Sequence, residues 1–122
     1  MKVLRIGIAS LDEMQARTRG ILSGKRKRRT DEPKLWFSSE RALFAVLSRE
    51  NRRLLDEIRL RPPASMSELA ERTGRKLPNL SRTLNAMANF GIIELRRGPG
   101  RQKVPIVPYE RIDIVMPIEA AA

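Results

Sequence analysis

The sequence predicts an α+β fold, because its two ends alternate like strands and the segments between them have the apolar spacing of helices. Residues 2–8 and 111–116 each place an apolar residue at every second position, which is typical of a half-buried strand. In residues 39–91 the apolar positions recur three or four apart, as a buried helix face requires. We expect the two terminal strands to join one sheet, within or between subunits.

The composition is strongly basic and excludes several classes of site. The 122 residues include 25 Lys plus Arg and 14 Asp plus Glu, a formal charge of +11, and no Cys or His. Such a chain forms no disulfide, no zinc site with thiolate or imidazole ligands, and no catalytic triad with an imidazole base. We therefore expect a protein that is not an enzyme, needs no metal or other cofactor, and binds a polyanion such as nucleic acid.

No segment is predicted to enter a membrane. The longest stretch without charge, residues 83–93, is far shorter than the roughly 20 residues that span a bilayer. Arg5 interrupts the apolar start of the chain, where a signal peptide has its uncharged region. The expected location is the cytoplasm, in association with the nucleoid, without a membrane partner.

Residues 1–38 are predicted to form a strand, a helix and a basic loop that mediate dimerisation or contact with a partner. Ser10 is the expected cap of a helix that runs to Ser23, with Leu11 and Met14 on its inner face. A short strand is expected over residues 34–37. The loop before it contains five consecutive cations, which are Lys25, Arg26, Lys27, Arg28 and Arg29. This run is either a basic arm that contacts phosphates or a solvated loop without a partner.

Two apolar helices are predicted next. The first begins at Ser38 or Ser39 and continues through Leu47, and Ser48 caps the second. The proline pair at residues 62–63 must end the second helix, because proline lacks the amide that a helix interior uses.

Residues 65–74 have the signals of a short helix with a defined start and end. Ser65 and Glu68 form a capping box, in which the Ser65 hydroxyl accepts from the Glu68 amide and the Glu68 carboxylate accepts from the Ser65 amide. Gly74 permits the left-handed conformation of a sharp turn. Pro78 then favours the first position of a second helix, which Gly91 terminates.

The second helix has one apolar face and one polar face. Leu80, Leu84 and Met87 are spaced i, i+4, i+7 and predict a single buried stripe. The opposite face and the start of the helix carry short polar and basic side chains. These types of side chain bond to base edges and phosphates in a major groove. The candidate DNA contacts of this region are Arg75, Lys76, Asn79, Ser81, Arg82 and Asn85.

A basic hairpin is predicted after this helix. Residues 91–97 and 103–107 have the pattern of two strands, and residues 98–102 contain the glycines of a turn. Pro105 cannot donate to a ladder, so its strand is expected at an edge. A flexible basic hairpin suits contact with phosphates or the minor groove. The cations concerned are Arg96, Arg97, Arg101 and Lys103.

This helix pair resembles a known family. Residues 65–74 (Ser-Met-Ser-Glu-Leu-Ala-Glu-Arg-Thr-Gly) and 79–84 (Asn-Leu-Ser-Arg-Thr-Leu) resemble winged helix-turn-helix regulators of the MarR/ArsR type. Ala70, Gly74 and Leu80 stand where that motif has its small residue, its turn glycine and its inward apolar residue. The basic hairpin follows where the resemblance expects a wing.

The resemblance implies an α+β fold with a winged helix-turn-helix DNA-binding domain over residues 39–110. Residues 1–38 then form an additional strand and helix, and residues 111–122 form a C-terminal strand and tail. Regulators of this kind usually read palindromic half-sites as dimers, so a homodimer on a palindromic operator is expected.

More distantly, the chain resembles small predicted regulators that are encoded beside toxin genes. This resemblance implies a sequence-specific regulator of transcription that binds double-stranded DNA and represses its own operon. It also implies the antitoxin of a toxin–antitoxin pair, with the cognate toxin protein as a partner. Two alternatives stay open on the sequence: a protein-interaction module that neutralises a toxin, with DNA binding secondary, and a winged-helix replication or partition protein.

Overall fold

A computed structural model describes residues 2–24, 32–100, 102–116 and 118 of the chain. Within these residues lie five helices and five strands, which confirm the α+β class. Their order is β1 (Val3–Ile8), α1 (Leu11–Leu22), β2 (Leu35–Phe37), α2 (Glu40–Val46), α3 (Arg49–Leu60), α4 (Met66–Thr73), α5 (Leu77–Phe90), β3 (Glu94–Arg97), β4 (Lys103–Ile106) and β5 (Arg111–Val115). No helix of the described residues has both the length and the apolar character that crossing a membrane takes.

The chain divides into two compact units. Unit 1 consists of Met1–Ala45 together with Arg111–Ala122, and unit 2 is the continuous segment Val46–Glu110. This division differs from the predicted boundaries at 38/39 and 110/111, because α2 falls almost entirely in unit 1 and the C-terminal strand is part of unit 1 rather than a separate tail. The reason lies in strand pairing, since β5 joins the sheet that β1 begins.

Unit 1 is built on a three-stranded parallel sheet with the strand order β2-β1-β5. The pairing of β1 with β5 confirms that the two terminal strands join one sheet, and it occurs within the chain. The inner face expected for β1 is buried, as are the apolar residues that pack with it. These are Leu4, Ile6, Ile8, Ala9, Phe37 and Leu43.

The helices of unit 1 start at the serines that the sequence indicates. The Glu13 amide donates to Ser10 Oγ at 3.1 Å, and the Ser10 amide donates to Glu13 Oε2 at 3.2 Å. The Ala42 amide likewise donates to Ser39 Oγ at 3.1 Å, which selects Ser39 over Ser38 as the cap of α2. The prediction that Leu11 faces inward is wrong, because its side chain is 65% exposed at the first position of α1.

Gly7 is required by the close approach of Trp36 from the neighbouring strand. The two residues are paired in the β1–β2 register, and a Cβ on Gly7 would fall inside van der Waals contact of Cε3 and Cζ3 of the Trp36 ring. Gly7→Ala is therefore expected to lower the free energy of unfolding by about 1–3 kcal/mol, as overpacking in a packed interior does. Urea denaturation measures this loss. In a Trp36→Ala background the same substitution should cost clearly less, and an equal cost in both backgrounds would contradict the steric explanation.

Unit 2 packs α3, α4 and α5 around one apolar core, and the antiparallel pair β3–β4 completes it. The predicted cap of α3 is confirmed, because the Asn51 amide donates to Ser48 Oγ at 3.2 Å. The helix ends at Leu60, just before the proline pair at residues 62–63. The buried apolar residues are Leu47, Leu54, Leu55, Ile58, Leu69, Ala70, Leu80, Leu84, Met87, Ile92, Ile93 and Pro105.

Candidate nucleic-acid interface

The start of α4 is fixed by a capping box that departs from its predicted form in one bond. The Glu68 amide donates to Ser65 Oγ at 3.1 Å, as expected. The Glu68 carboxylate, however, accepts from the Ala64 amide at 2.9 Å, and not from the Ser65 amide. Ser65 is fully extended at this point, with φ −161° and ψ 166°, and the amide that reaches the carboxylate is that of the residue before the cap.

The turn between α4 and α5 depends on a left-handed glycine. Gly74 has φ 71° and ψ 10°, a conformation that costs other residues roughly 1–2 kcal/mol. Helix α5 then begins at Leu77, so Pro78 occupies its second position rather than the predicted first. Lys76 is the N-cap residue and contributes no side-chain cap bond, which leaves its exposed ammonium group at the helix start.

Helix α5 has the two faces that its sequence predicts. Leu80 and Leu84 are fully buried and Met87 is 1% exposed, so the inner stripe is confirmed. On the outer face Asn79 and Arg82 are exposed, while Ser81 and Asn85 are half-buried. The polar face of the helix is thus open to solvent along its first two turns.

Asn85 is partly engaged within its own helix. Its amide nitrogen donates to the Ser81 carbonyl oxygen at 2.7 Å and lies 3.3 Å from Ser81 Oγ. An asparagine that reads adenine must both donate and accept at the base edge. Asn85 can therefore pair with a base in that way only through an N–H that is not bonded to Ser81.

Arg75 is held against the N-terminus of α3. Its guanidinium donates to the Glu50 carbonyl at 2.8 Å and to Asn51 Oδ1 at 3.2 Å, and Asn51 in turn donates to the Val46 carbonyl at 2.9 Å. From the sequence, Arg75 is predicted to contact DNA together with its neighbour Lys76. In the structure two of its donors instead fasten the turn before α5 to α3.

Helix α4 is also held against α3, by a cluster of ion pairs and hydrogen bonds. Glu57 accepts from Arg61 Nη2 at 2.6 Å and lies 3.6 Å from Arg72 Nε, while Arg72 Nη2 donates to the Arg61 carbonyl at 2.8 Å. The hydrogen bond from Arg61, together with both positive charges, lowers the pKa of Glu57 below its ordinary value. Glu57 thus takes part in ordinary ion pairing between neighbouring helices.

The basic hairpin is shorter than predicted. Strand β3 begins at Glu94 and not at Gly91, because Ile92 and Ile93 are buried in the core before the strand starts. Arg97 pairs with Lys103 across the two strands, and a bond from the Gly98 amide to the Gln102 carbonyl, 2.8 Å long, closes the turn. Pro105 lies in one strand of a two-stranded sheet, in keeping with its predicted edge position.

The cations of this hairpin differ in their surroundings. Arg97 and Lys103 are exposed, and Arg96 donates to Glu94 Oε2 through Nε at 3.1 Å and Nη2 at 2.9 Å. Arg101 lies outside the described residues. So does the candidate basic arm, which consists of Lys25, Arg26, Lys27, Arg28 and Arg29.

A cleft of about 380 Å³ lies between α4, α5 and the β3–β4 hairpin. Its lining comes from the start of α4, the outer face of α5 and the turn end of the hairpin, namely Ser65, Met66, Ser67, Leu77, Ser81, Asn85, Gln102 and Lys103. Three residues predicted from the sequence, Ser81, Asn85 and Lys103, therefore meet at one site.

Sequence reasoning missed the contribution of α4 to this cleft. Ser67 lies in the first turn of α4, where backbone amides have no helical partner and attract anions. The capping box marks this helix start in the sequence, and the same signal therefore also indicates a place where backbone amides can attract an anion. Leu77, which is 42% exposed, had no such signal.

Comparisons with known proteins place the matched region over this site. The model of the HVO_A0114 family matches residues 46–114, which is more than half of the chain. The matched range covers unit 2 and continues into β5. Searches of curated proteins and of solved structures give no match.

Proposed function

We propose that this chain, which belongs to the HVO_A0114 family, is a sequence-specific regulator that binds double-stranded DNA through a winged helix-turn-helix in unit 2. The observation that carries the proposal is the shared cleft, in which the start of α4, the polar face of α5 and the β3–β4 hairpin meet. In such a domain α4 and α5 are the helix pair, Gly74 is its turn and the hairpin is the wing.

Helix α5 is the element that enters the major groove. Its outer side chains are short apart from Arg82, so the helix backbone can approach the base edges closely. The Arg82 guanidinium can bond bidentately to guanine, and Asn79, exposed one turn before it along the chain, can bond to adenine. Lys76 places a positive charge at the start of the same helix.

The remaining parts of the site suit the phosphate backbone. The amides and hydroxyl of the first turn of α4, at Met66 and Ser67, suit an anion that Lys103 approaches from the hairpin side of the cleft. Arg97, directly opposite Lys103 at the turn end of the hairpin, adds a second exposed cation. These contacts set the register of α5 on the duplex without reading its sequence.

Lys103→Ala tests the role of the hairpin. Because a phosphate contact carries no sequence information, this substitution is expected to weaken binding to all duplexes alike and to reduce the slope of log K against log salt by about one. Fluorescence anisotropy at several salt concentrations measures both quantities. Lys34→Ala, which removes the same charge from an exposed position in unit 1, is the matched control and should leave the slope almost unchanged. If the slope falls equally in both variants, the effect comes from the lower net charge of the protein and not from a contact made by Lys103.

The function itself is tested by titrating the protein onto DNA from its own upstream region and onto a scrambled duplex of the same length. A preference of about 10³-fold or more for the native duplex is expected, which is the range of specific regulators. Equal and steeply salt-dependent binding to both duplexes would overturn the proposal, because the basic charge alone produces that result.

In this proposal the protein represses its own promoter in the cytoplasm as a homodimer on a palindromic operator. A two-fold dimer presents two copies of α5 to two half-sites, and their spacing along the duplex follows from the dimer geometry.

A further inference from the structure

Strand β5 lies at the edge of its sheet. In the part of the chain that the structure describes it pairs with β1 and with no other strand. An edge strand presents unpaired amides and carbonyls along its outer side, which makes it a template for another strand. Natural proteins usually cover or otherwise protect such an edge, so this edge is a candidate for pairing with a further strand.

The backbone groups that face outward can be identified from the bonds of β1. The Arg5 carbonyl accepts from Lys34 and the Ala9 amide donates to Phe37, so the odd-numbered residues of β1 turn their backbone groups toward β2. The even-numbered residues of β1, among them Leu4, then turn theirs toward β5.

The register between the two strands completes the assignment. Leu4 lies opposite Ile112, and in a parallel ladder the groups that bond to Leu4 belong to the residues on either side, Arg111 and Asp113. The amides and carbonyls of Ile112 and Ile114 therefore point to the open edge. Two residues of the strand thus offer a full set of donors and acceptors to a partner strand.

The side chains along this edge are unusually apolar for a surface. Ile114 is 43% exposed, Val115 37%, Met116 54%, and Ile118 is fully exposed. Exposed apolar residues that cluster beside an open strand edge mark an interaction site rather than ordinary surface. The segment is also unlike the rest of the protein in charge, because residues 104–122 are net negative in a chain of net charge +11. A polyanion is therefore a poor occupant.

The charges of β5 are complementary to those of β5 itself. Arg111 and Asp113 lie on one side of the strand, with Arg111 Nε 2.8 Å from Asp113 Oδ1. When two such strands pair in antiparallel fashion with Ile112 opposite Ile112, each Arg111 lies directly opposite Asp113 of the other copy. Centring the pair on Asp113 or on Arg111 instead sets two like charges opposite each other, which is destabilising.

We propose that two copies of this chain associate through antiparallel pairing of β5 about a two-fold axis at Ile112, which joins their three-stranded sheets into one continuous sheet. The outward groups of Ile112 form the hydrogen-bonded pair at the axis, and those of Ile114 pair on either side with the residue at position 110. This interface is independent of DNA binding, because it uses no residue of the cleft and its tests contain no DNA.

Single cysteines test the register directly, since the natural chain contains none. In the proposed pairing the two copies of residue 112 have their Cα atoms about 5.5 Å apart, within the reach of a disulfide. The two copies of residue 113 are two positions out of register and lie beyond about 7 Å. Under mild oxidation Ile112→Cys is expected to yield a covalent dimer in high amount and Asp113→Cys to stay largely uncrosslinked. Crosslinking of Asp113→Cys instead, of both variants equally, or of neither overturns the proposal.

Charge exchange provides a second test that does not depend on oxidation. Arg111→Asp and Asp113→Arg each set like charges across the axis, and each is expected to raise the dimer dissociation constant roughly tenfold. An equimolar mixture of the two variants restores both opposite-charge pairs and should recover the dimer mass by light scattering, with circular dichroism confirming that each variant is folded. A wild-type protein that is monomeric at all concentrations, or a mixture that stays as dissociated as its components, overturns the proposal.

Discussion

Leu84→Ala is expected to lower the free energy of unfolding by about 2–5 kcal/mol, the largest effect of any substitution considered for this protein. Leu84 is fully buried in the inner stripe of α5, between Leu80 one turn before it and Met87 one turn after. Removing its isobutyl group loses the transfer free energy of the side chain and leaves a cavity that helices α3 and α4 can fill only partly. Urea denaturation followed by circular dichroism measures the loss.

The matched control for this substitution is Leu60→Ala. Leu60 has the same side chain at the last position of a neighbouring helix, but it is 73% exposed. Its truncation is expected to change stability by less than about 0.5 kcal/mol. Similar losses in the two variants would show that the core of unit 2 is not packed as described.

Arg82→Ala is expected to weaken binding to the native operator by about 1–3 kcal/mol and to relax the base preference at one position of the site. Arg82 is exposed in the middle of the polar face of α5, where a guanidinium can reach a guanine edge in the major groove. The measurement is anisotropy against the operator and against the set of single-base variants of one half-site. Binding to a scrambled duplex should fall much less than binding to the operator.

Arg59→Ala controls for loss of charge, because Arg59 is an exposed arginine on α3, outside the proposed interface. It should reduce binding to operator and scrambled duplexes equally and only slightly. Arg82→Lys separates charge from geometry, since lysine keeps the charge but cannot form the bidentate pair. An unchanged operator affinity in Arg82→Ala would show that the polar face of α5 does not read bases.

Local signals made much of unit 2 predictable from the sequence. Each of three features depends on residues only a few positions apart: the caps at Ser48 and Ser65 and the left-handed turn at Gly74. The types of these residues are therefore enough to predict them. The same holds for the buried stripe of α5, because helical spacing alone selects its members.

Features that depend on distant partners were not predictable in the same way. Arg75 looks like any exposed cation in the sequence, and its bonds to Glu50 and Asn51 exist only because α3 packs beside the turn. The β3 strand starts late because Ile92 and Ile93 enter a core assembled from three helices. The division into units likewise follows from the pairing of β1 with β5. The alternation of apolar residues in the two segments could suggest that both are strands of one sheet, but it could not show that they pair in parallel within one chain. A toxin as partner stays a prediction.

The insertion of unit 2 between the parts of unit 1 has a consequence for how a new chain reaches its fold. A ribosome that has made β1 and β2 must still synthesise Val46–Glu110 before β5 appears. At roughly 5–20 residues per second this delay lasts on the order of seconds, far longer than helix formation takes. A strand pair without its third member is only marginally stable, whereas unit 2 is already contiguous. We therefore expect unit 2 to fold first on a new chain and unit 1 to fold only after β5 has been synthesised.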